Sequence, residues 1–219
     1  YGKWQYSNVW SKLMAVYRDI AHNFVPPIST TSSNLGRGVL THLKTLTASS
    51  DSTLSFQDGS SSVVFDNTYK TYLFRMIDIH CSTNFRNLAF QFNTAGASGF
   101  NETISSNAFE VNNPESGSHQ FQSSNGTDQH QGTDFQTLIY GIGNENNESG
   151  AGDLYVFNPS DTTFVTHFYG EGLAHTDDDK TRRHFISGYV NTTAAVDEIQ
   201  FKMTEGTIDS GTIKMYGIA

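Results

Sequence analysis

The amino-acid sequence predicts an all-β fold, an antiparallel two-sheet sandwich of jelly-roll-like type, preceded by a short amphipathic N-terminal helix and an arm. Short segments in which apolar and polar residues alternate recur along most of the chain. In the segment 198–219, Ile199, Phe201 and Met203 fall on one face of a strand, and the same period returns after a turn. Such repeated alternation is typical of antiparallel sheets with one buried face.

The composition favours a β-sandwich over a helical enzyme. Charged residues make up 16% of the chain and aromatic residues 13%, and Gly, Ser, Thr and Asn are abundant. Aromatic and β-branched side chains fill pleated surfaces, while Gly and Asn form turns. The single Cys81 excludes an intrachain disulfide, so we predict that it is a small core or strand-end residue.

Residues 1–38 stand apart as a predicted N-terminal helix and linker arm. From Ser7 or Asn8 to Phe24 the apolar residues recur at helical spacing, Pro26 and Pro27 end the pattern, and a polar stretch follows. We predict that the apolar stripe serves oligomerisation or anchoring; it packs on the same domain, on another protomer or on a neighbouring protein. Its residues are Trp10, Leu13, Met14, Tyr17 and Phe24.

Residues 39–219 are predicted to form the β-sandwich domain, with about ten strands. The candidate strands are residues 39–47, 54–56, 63–65, 72–79, 88–93, 135–140, 153–157, 164–169, 184–190, 199–203 and 212–218. The nearly continuous apolar run 72–79 indicates a central strand covered on both faces. Residues 93–134 are rich in Gly, Ser, Asn and Gln, and predict an elaborated loop or irregular strands at the exposed surface.

The charge pattern argues against nucleic acid as a partner. The chain carries 13 basic and 22 acidic residues, a formal net charge of −9, and the basic residues are scattered. Lys180, Arg182 and Arg183 follow three aspartates, which predicts a solvated loop of mixed sign. We also expect no membrane insertion, because no apolar run is long enough to cross a bilayer.

No catalytic signature is present in the sequence. GxSxG, HExxH, the Walker loop and a complete GxGxxG are all missing. A pair of carboxylates for glycoside hydrolysis needs only to converge in space, and no feature selects among the candidates. These are Glu102, Glu110, Asp134 and Glu171. We therefore predict a non-enzymatic protein.

Two acidic stretches could supply ligands for a divalent cation. Asp128, His130 and Asp134 fall in one polar segment, and His175 stands beside the aspartates at 177–179. The same residue types are ordinary turn formers, and the second stretch lacks the Gly and distal Glu of an EF-hand loop. We predict turns in both places, with no metal site and no cofactor.

Several segments of the β-region resemble uncharacterised virion structural proteins of marine tailed bacteriophages. They include SFQDGSSSVVFDNTYKTYLFRMIDIH at 55–80, NETISSNAF at 101–109, GDLYVFNPSDTTFVTHF at 152–168 and GYVNTTAAVDEIQFKMTEGTIDSGTIKMYGI at 188–218. The resemblance covers about residues 40–219 and lies in strand and turn segments rather than in a catalytic motif.

The resemblance implies a tail or head fibre, spike or capsid decoration protein, located in the virion and assembled in the bacterial host cytoplasm. The implied partners are other copies of the chain, as a homotrimer, and other virion proteins. An alternative is a carbohydrate-binding module for host-surface glycans, in which Tyr140, Tyr155 or Tyr169 stack on sugar rings. A glycan-cleaving depolymerase is the third and least favoured possibility.

Overall fold

The computed structural model describes residues 40–115, 117–123 and 126–219, all of which belong to the unit Val39–Ala219. The predicted N-terminal helix and arm, residues 1–38, lie outside the described residues. So do all five predicted anchoring residues. These are Trp10, Leu13, Met14, Tyr17 and Phe24.

The described residues contain thirteen β-strands and no helix. The strands are β1 Leu40–Asp51, β2 Leu54–Gln57, β3 Thr71–Cys81, β4 Arg86–Thr94, β5 Ile104–Pro114, β6 Gln120–Ser123, β7 His130–Gly132, β8 Gln136–Ile142, β9 Gly150–Phe157, β10 His167–Thr176, β11 Lys180–Val190, β12 Val196–Met203 and β13 Ile208–Ile218.

The strands form two sheets of unequal size. The large sheet has nine strands in the order β1-β13-β3-β9-β10-β11-β5-β6, with β7 also paired to β5. The small sheet has four strands in the order β2-β12-β4-β8. Every pairing between described strands is antiparallel. The prediction of an all-β protein with two antiparallel sheets is therefore confirmed.

Phenylalanine side chains from both sheets build the core between them. Phe74 of β3 lies 5.6 Å from Phe201 of β12 and 5.3 Å from Phe56 of β2, measured between ring centroids. Phe90 of β4 meets Phe168 of β10 edge to face at 5.4 Å. Offset and edge-to-face contacts of this kind add to the free energy gained by burial. Five residues of the predicted strands 72–79, 88–93 and 199–203 are buried in this core: Phe74, Phe90, Phe92, Phe201 and Met203.

β3 is a central strand between β13 and β9, as predicted, but it is covered on both faces only over 72–74, because Arg75 and Ile77 are partly accessible and Asp78 is exposed. Tyr72, Leu73 and Phe74 are all buried, although neighbouring residues of a strand point to opposite faces. Leu73 lies between Tyr216 of β13 and Tyr155 of β9 in the strand register. Cys81 ends this strand as a buried free thiol, and burial raises its pKa.

The predicted strand at residues 63–65 is a loop. Val63 and Phe65 are nevertheless buried, and Phe65 stacks 6.3 Å from Phe74. The backbone N–H of Phe65 donates a hydrogen bond to the Asp58 carboxylate at 2.8 Å. Since that donor is bound to a side chain, the segment closes a turn over the core instead of joining a strand ladder.

Residues 93–134 contain a regular strand that the sequence did not predict. The eleven residues of β5 pair with β11 from Ile104 opposite Val190 to Pro114 opposite Lys180. Its pattern was hard to recognise because polar Glu110 is buried on the inner face, whereas Phe109 points outward. The prediction of an elaborated loop or irregular strands is therefore wrong for β5, which is a long regular strand, although the same region also holds the short strands β6 and β7.

Phe90 provides a direct test of the core. Its side chain is fully buried, so Phe90→Ala is expected to lower the free energy of unfolding by about 3 to 5 kcal/mol. Phe164→Ala is the matched control, because its ring is 70% exposed and its loss should change stability by no more than about 0.5 kcal/mol. Urea denaturation measures both. Equal stability of the two variants would contradict the described core.

Candidate functional site

The face of the large sheet that points away from the small sheet, here called the outer face, carries aromatic and polar side chains. On β10, Phe168, Gly170 and the other inward residues are buried, whereas their outward neighbours are accessible. Tyr169 is 47% exposed and Leu173 is 40% exposed. Exposed aromatic side chains gathered on one face mark a binding surface more often than singly scattered ones do.

A stack of aromatic rings crosses β9 and β10 on the outer face. Tyr155 and Tyr169 are directly opposite in the register, and their rings lie 4.8 Å apart with planes 17° from parallel. Phe157 adds a third ring 5.7 Å from Tyr169. Burial, reinforced by the charge of Asp153, raises the pKa of the Tyr155 phenol. Stacking on Tyr155 and Phe157 restricts the rotation of the Tyr169 ring.

A shallow groove of about 500 Å³ lies beside this stack, between β10, β11 and β5. Its lining includes Tyr169, Tyr189, His167, Ser187 and Asn107. Tyr155 covers one face of the Tyr169 ring and does not line the groove, so the opposite face of the ring borders it.

The polar groups of the groove are arranged by the strands beneath them. Ser187 and Asn107 are opposite each other on β11 and β5, and the Ser187 hydroxyl donates a hydrogen bond to Asn107 Oδ1 at 3.0 Å. This contact orients the Asn107 side chain so that its Nδ2 donors point away from Ser187. Gly188 leaves room for the Phe168 ring on the inner side of the sheet beneath the groove. A Cβ atom added at Gly188 would lie only 2.7 Å from Cζ of that ring.

Next to the stack, a row of four charged side chains forms two ion pairs. Arg75 donates two hydrogen bonds of 2.8 Å to Asp153, and this contact raises the pKa of the Arg75 guanidinium. Arg183 binds Glu171, with its Nε 3.1 Å from the carboxylate. Asp153 and Glu171 are cross-strand neighbours, so two carboxylates stand side by side, each held by an arginine.

Three phenylalanines form a second aromatic group on the outer face, near the β6 edge. The rings of Phe109 and Phe185 stack at 4.6 Å, and Phe121 lies 5.6 Å from Phe109. Phe121 is 70% exposed. Arg183 covers Phe185, with its guanidinium carbon 4.7 Å from the ring centroid.

The inner face of β5 and β11 carries a buried polar cluster. His184 contacts the Leu138 carbonyl through Nδ1 at 3.2 Å and the Thr127 hydroxyl through Nε2 at 3.0 Å. Glu110 lies opposite His184 in the register and 3.8 Å from Arg182 Nε. Burial lowers the pKa of His184, which favours the neutral ring.

The expectation of a solvated mixed-sign loop at Lys180, Arg182 and Arg183 is wrong. All three belong to β11, and alternation along that strand turns Arg182 inward while Arg183 points outward. Arg182 is buried, with its guanidinium 4.5 Å from the Tyr140 ring. A cation–π contact of this kind offsets part of the cost of burying the charge.

The tyrosines expected to stack on sugars are separated by the structure. Tyr155 and Tyr169 lie together on the outer face. Tyr140 does not share that face, because its half-buried ring packs between Arg182 and Phe85.

The candidate carboxylates are also separated. Glu110 points to the inner face and Glu171 to the outer face of the same sheet. Glu102 accepts a hydrogen bond of 2.6 Å from Thr94. The Asp134 backbone carbonyl accepts a hydrogen bond from Gln91 at 3.0 Å.

The two acidic stretches occupy tight turns and loops. Asp128 contacts His130 at 3.0 Å, and the aspartates at 177–179 make the turn between β10 and β11. Asp178 accepts a hydrogen bond of 2.6 Å from Thr176 and also binds Lys180. Within the part of the chain that the structure describes, no three His, Cys, Asp or Glu side chains are grouped as metal ligands.

The sequence did not predict the groove residues Asn107, His167, Ser187 and Tyr189. A usable signal was present in YGEGLA, residues 169–174, where large or polar residues alternate with small ones. We see no signal in the sequence for the contact of β11 with β5.

Comparisons with known proteins add no family assignment. No protein-family model matches the chain, and no curated protein matches it. Among the described residues, no helix has the length and apolar character needed to span a membrane.

His184 predicts how stability depends on pH. Because its pKa is lowered in the folded protein, the unfolded chain binds a proton first as the pH falls below the ordinary histidine value of about 6.5. The free energy of unfolding should therefore decrease between about pH 7 and pH 5. Urea denaturation of the parent and of His184→Gln across this range measures the effect, and the variant should show a shallower decrease. The same slope in both proteins would contradict this role.

Proposed function

We propose that this protein is a non-enzymatic carbohydrate-binding protein and that the groove on the outer face is its binding site. The observation that carries the proposal is the half-exposed Tyr169 ring, which stacks on Tyr155 and lines the groove. A flat aromatic ring packs well on the apolar face of a sugar ring, and its rigid support lowers the entropy lost on binding.

The other groove residues suit the hydroxyl groups of a sugar. Asn107 offers amide donors, and Ser187, His167 and Tyr189 add further polar groups. The groove is shallow, whereas sites for isolated small molecules usually enclose most of the ligand surface. A polysaccharide chain that lies along the protein surface fits this shape better than a small enclosed metabolite.

Substitution of Tyr169 tests the proposal. Tyr169→Ala removes the ring and should weaken binding by about 2 kcal/mol, roughly 30-fold, as expected for a central aromatic anchor. Tyr169→Phe keeps the ring and should retain most of the affinity. Affinity electrophoresis in gels containing bacterial surface polysaccharides measures both.

Phe135→Ala is the matched control, because this aromatic ring lies away from the groove. It packs on the outward side of the small sheet, with Lys202 Nζ 4.2 Å from the centroid of its ring. Binding that survives in Tyr169→Ala, or is lost equally in Phe135→Ala, would contradict the assigned site. Release of reducing ends during incubation with the bound polysaccharide would show a depolymerase instead.

We further propose that the protein is displayed on a bacteriophage particle as a tail or head fibre, spike or decoration protein. The resemblance of residues 40–219 to phage virion proteins supports this, and a glycan-binding outer face would serve attachment to a host cell. In this proposal residues 1–38 anchor the domain to other virion proteins, the assembly is a homotrimer, and the sandwich is of jelly-roll type.

Removal of the N-terminal segment tests the anchoring role. A variant that lacks residues 1–37 should keep the circular dichroism of a β-protein but should no longer be incorporated into particles. Mass spectrometry of purified particles measures incorporation, with the full-length chain as the reference. Normal incorporation of the truncated chain would place the anchor within residues 38–219.

A further inference from the structure

We infer that the groove selects an uncharged glycan and discriminates against sulfated or carboxylated polysaccharides. This inference rests on the proposed function and names the ligand class of the same site. It is carried by the distribution of charge on the outer face, which differs sharply between the groove and its surroundings.

The groove itself is lined by side chains without a permanent charge. Its lining consists of serine, asparagine, histidine, phenylalanine, tyrosine and glycine. An acidic sugar would therefore lose the hydration of its anionic group without gaining an ion pair. An anion that loses part of its hydration and finds no cation binds less tightly than a neutral group at the same place, which makes such a ligand unfavourable.

The arginines near the groove are already bound to carboxylates. Arg75 makes two 2.8 Å hydrogen bonds with Asp153, and Arg183 binds Glu171. Recruiting either arginine to an anionic ligand would break its present pair and leave Asp153 or Glu171 without its partner. The charged row is thus neutral as a unit and contributes little attraction for an anion.

Lys214, which points outward on β13, is too far away to compensate. It lies opposite Arg75 in the register, three strands from β10, the nearest strand of the groove. At about 4.8 Å per strand the separation is about 14 Å, well beyond the Debye length of about 8 Å at physiological ionic strength. The formal net charge of −9 adds a general repulsion of polyanions.

The groove nevertheless provides donors for neutral oxygen atoms. Because Asn107 Oδ1 accepts the hydrogen bond from Ser187, its Nδ2 group remains to donate to a hydroxyl or an acetamido oxygen. The Tyr169 ring offers an apolar contact and the Asn107 amide offers a polar one, and both side chains line the groove. An uncharged pyranose presents both kinds of surface.

The test compares neutral polysaccharides with chemically sulfated versions of the same polymers. Affinity electrophoresis at about pH 8 would use a glucan, a galactan and a mannan with their sulfated derivatives. We expect at least one neutral polymer to bind, with less than about a twofold change in affinity between about 50 and 500 mM NaCl. Sulfation of that polymer should weaken binding at least about tenfold.

A matched pair of variants at Asn107 gives an independent measurement. Asn107→Ala removes the amide, and Asn107→Asp replaces it with an anion of nearly the same shape. With a neutral ligand the two variants should differ by less than about threefold, because neither offers the amide donors. With an anionic ligand Asn107→Asp should bind far more weakly than Asn107→Ala, because like charges repel.

The outcomes separate this inference from the proposal on which it rests. Salt-sensitive binding of sulfated polymers alone, lost in Tyr169→Ala, would overturn the inference but keep the groove as a glycan site. Failure of every neutral and sulfated polymer to bind would overturn the proposed function itself.

Discussion

The unequal size of the two sheets is the constraint on which the rest of the structure depends. The large sheet is eight strands wide, because β6 and β7 both lie along the same edge of β5, so it spans about 34 Å at about 4.8 Å per strand, whereas four strands span about 14 Å. The small sheet can therefore cover only the middle of the large one, where Phe74, Phe90 and Phe201 meet. The inner face of the large sheet extends beyond the small sheet on both sides, toward β1 and toward β5. Other residues shield it from solvent there, and they differ between the two sides.

Toward β1 and β13 the cover is apolar, because the loop after β2 folds back over the sheet. Val63 and Phe65 are buried there, and the Tyr69 ring packs directly against Gly217, where any Cβ would collide with it. Toward β5 the cover is polar. Gln136 of β8 donates a hydrogen bond to the Thr127 carbonyl at 2.7 Å and accepts one from Ser106 at 2.6 Å. Paired polar groups can be buried without the cost that unpaired ones would carry.

This difference explains which features could be predicted from the sequence. Around Phe90 and Phe92 one face of the strand is apolar, so alternation predicted both the strand and its buried side. On β5 the inner face carries Glu110, and the apolar Phe109 points outward, so a rule that places apolar residues inside cannot assign it. Tyr155 and Tyr169 looked no different from Tyr140 in the sequence. Only the pairing of β9 with β10, a contact between strands, brings the first two together.

The buried polar cluster and the groove lie on opposite faces of the same two strands, β5 and β11. On β5 and β11, Glu110 and His184 alternate with the outward residues, among them Asn107 and Ser187. Because successive side chains point to opposite faces, a shift of register by one residue would exchange the two sets. The contacts of His184 with the Leu138 carbonyl and the Thr127 hydroxyl favour the observed register. A shift by one residue would break them and would bury the Ser187 hydroxyl and the Asn107 amide in place of the His184 ring. The buried cluster thus fixes which side chains the groove presents, although it contacts no ligand itself.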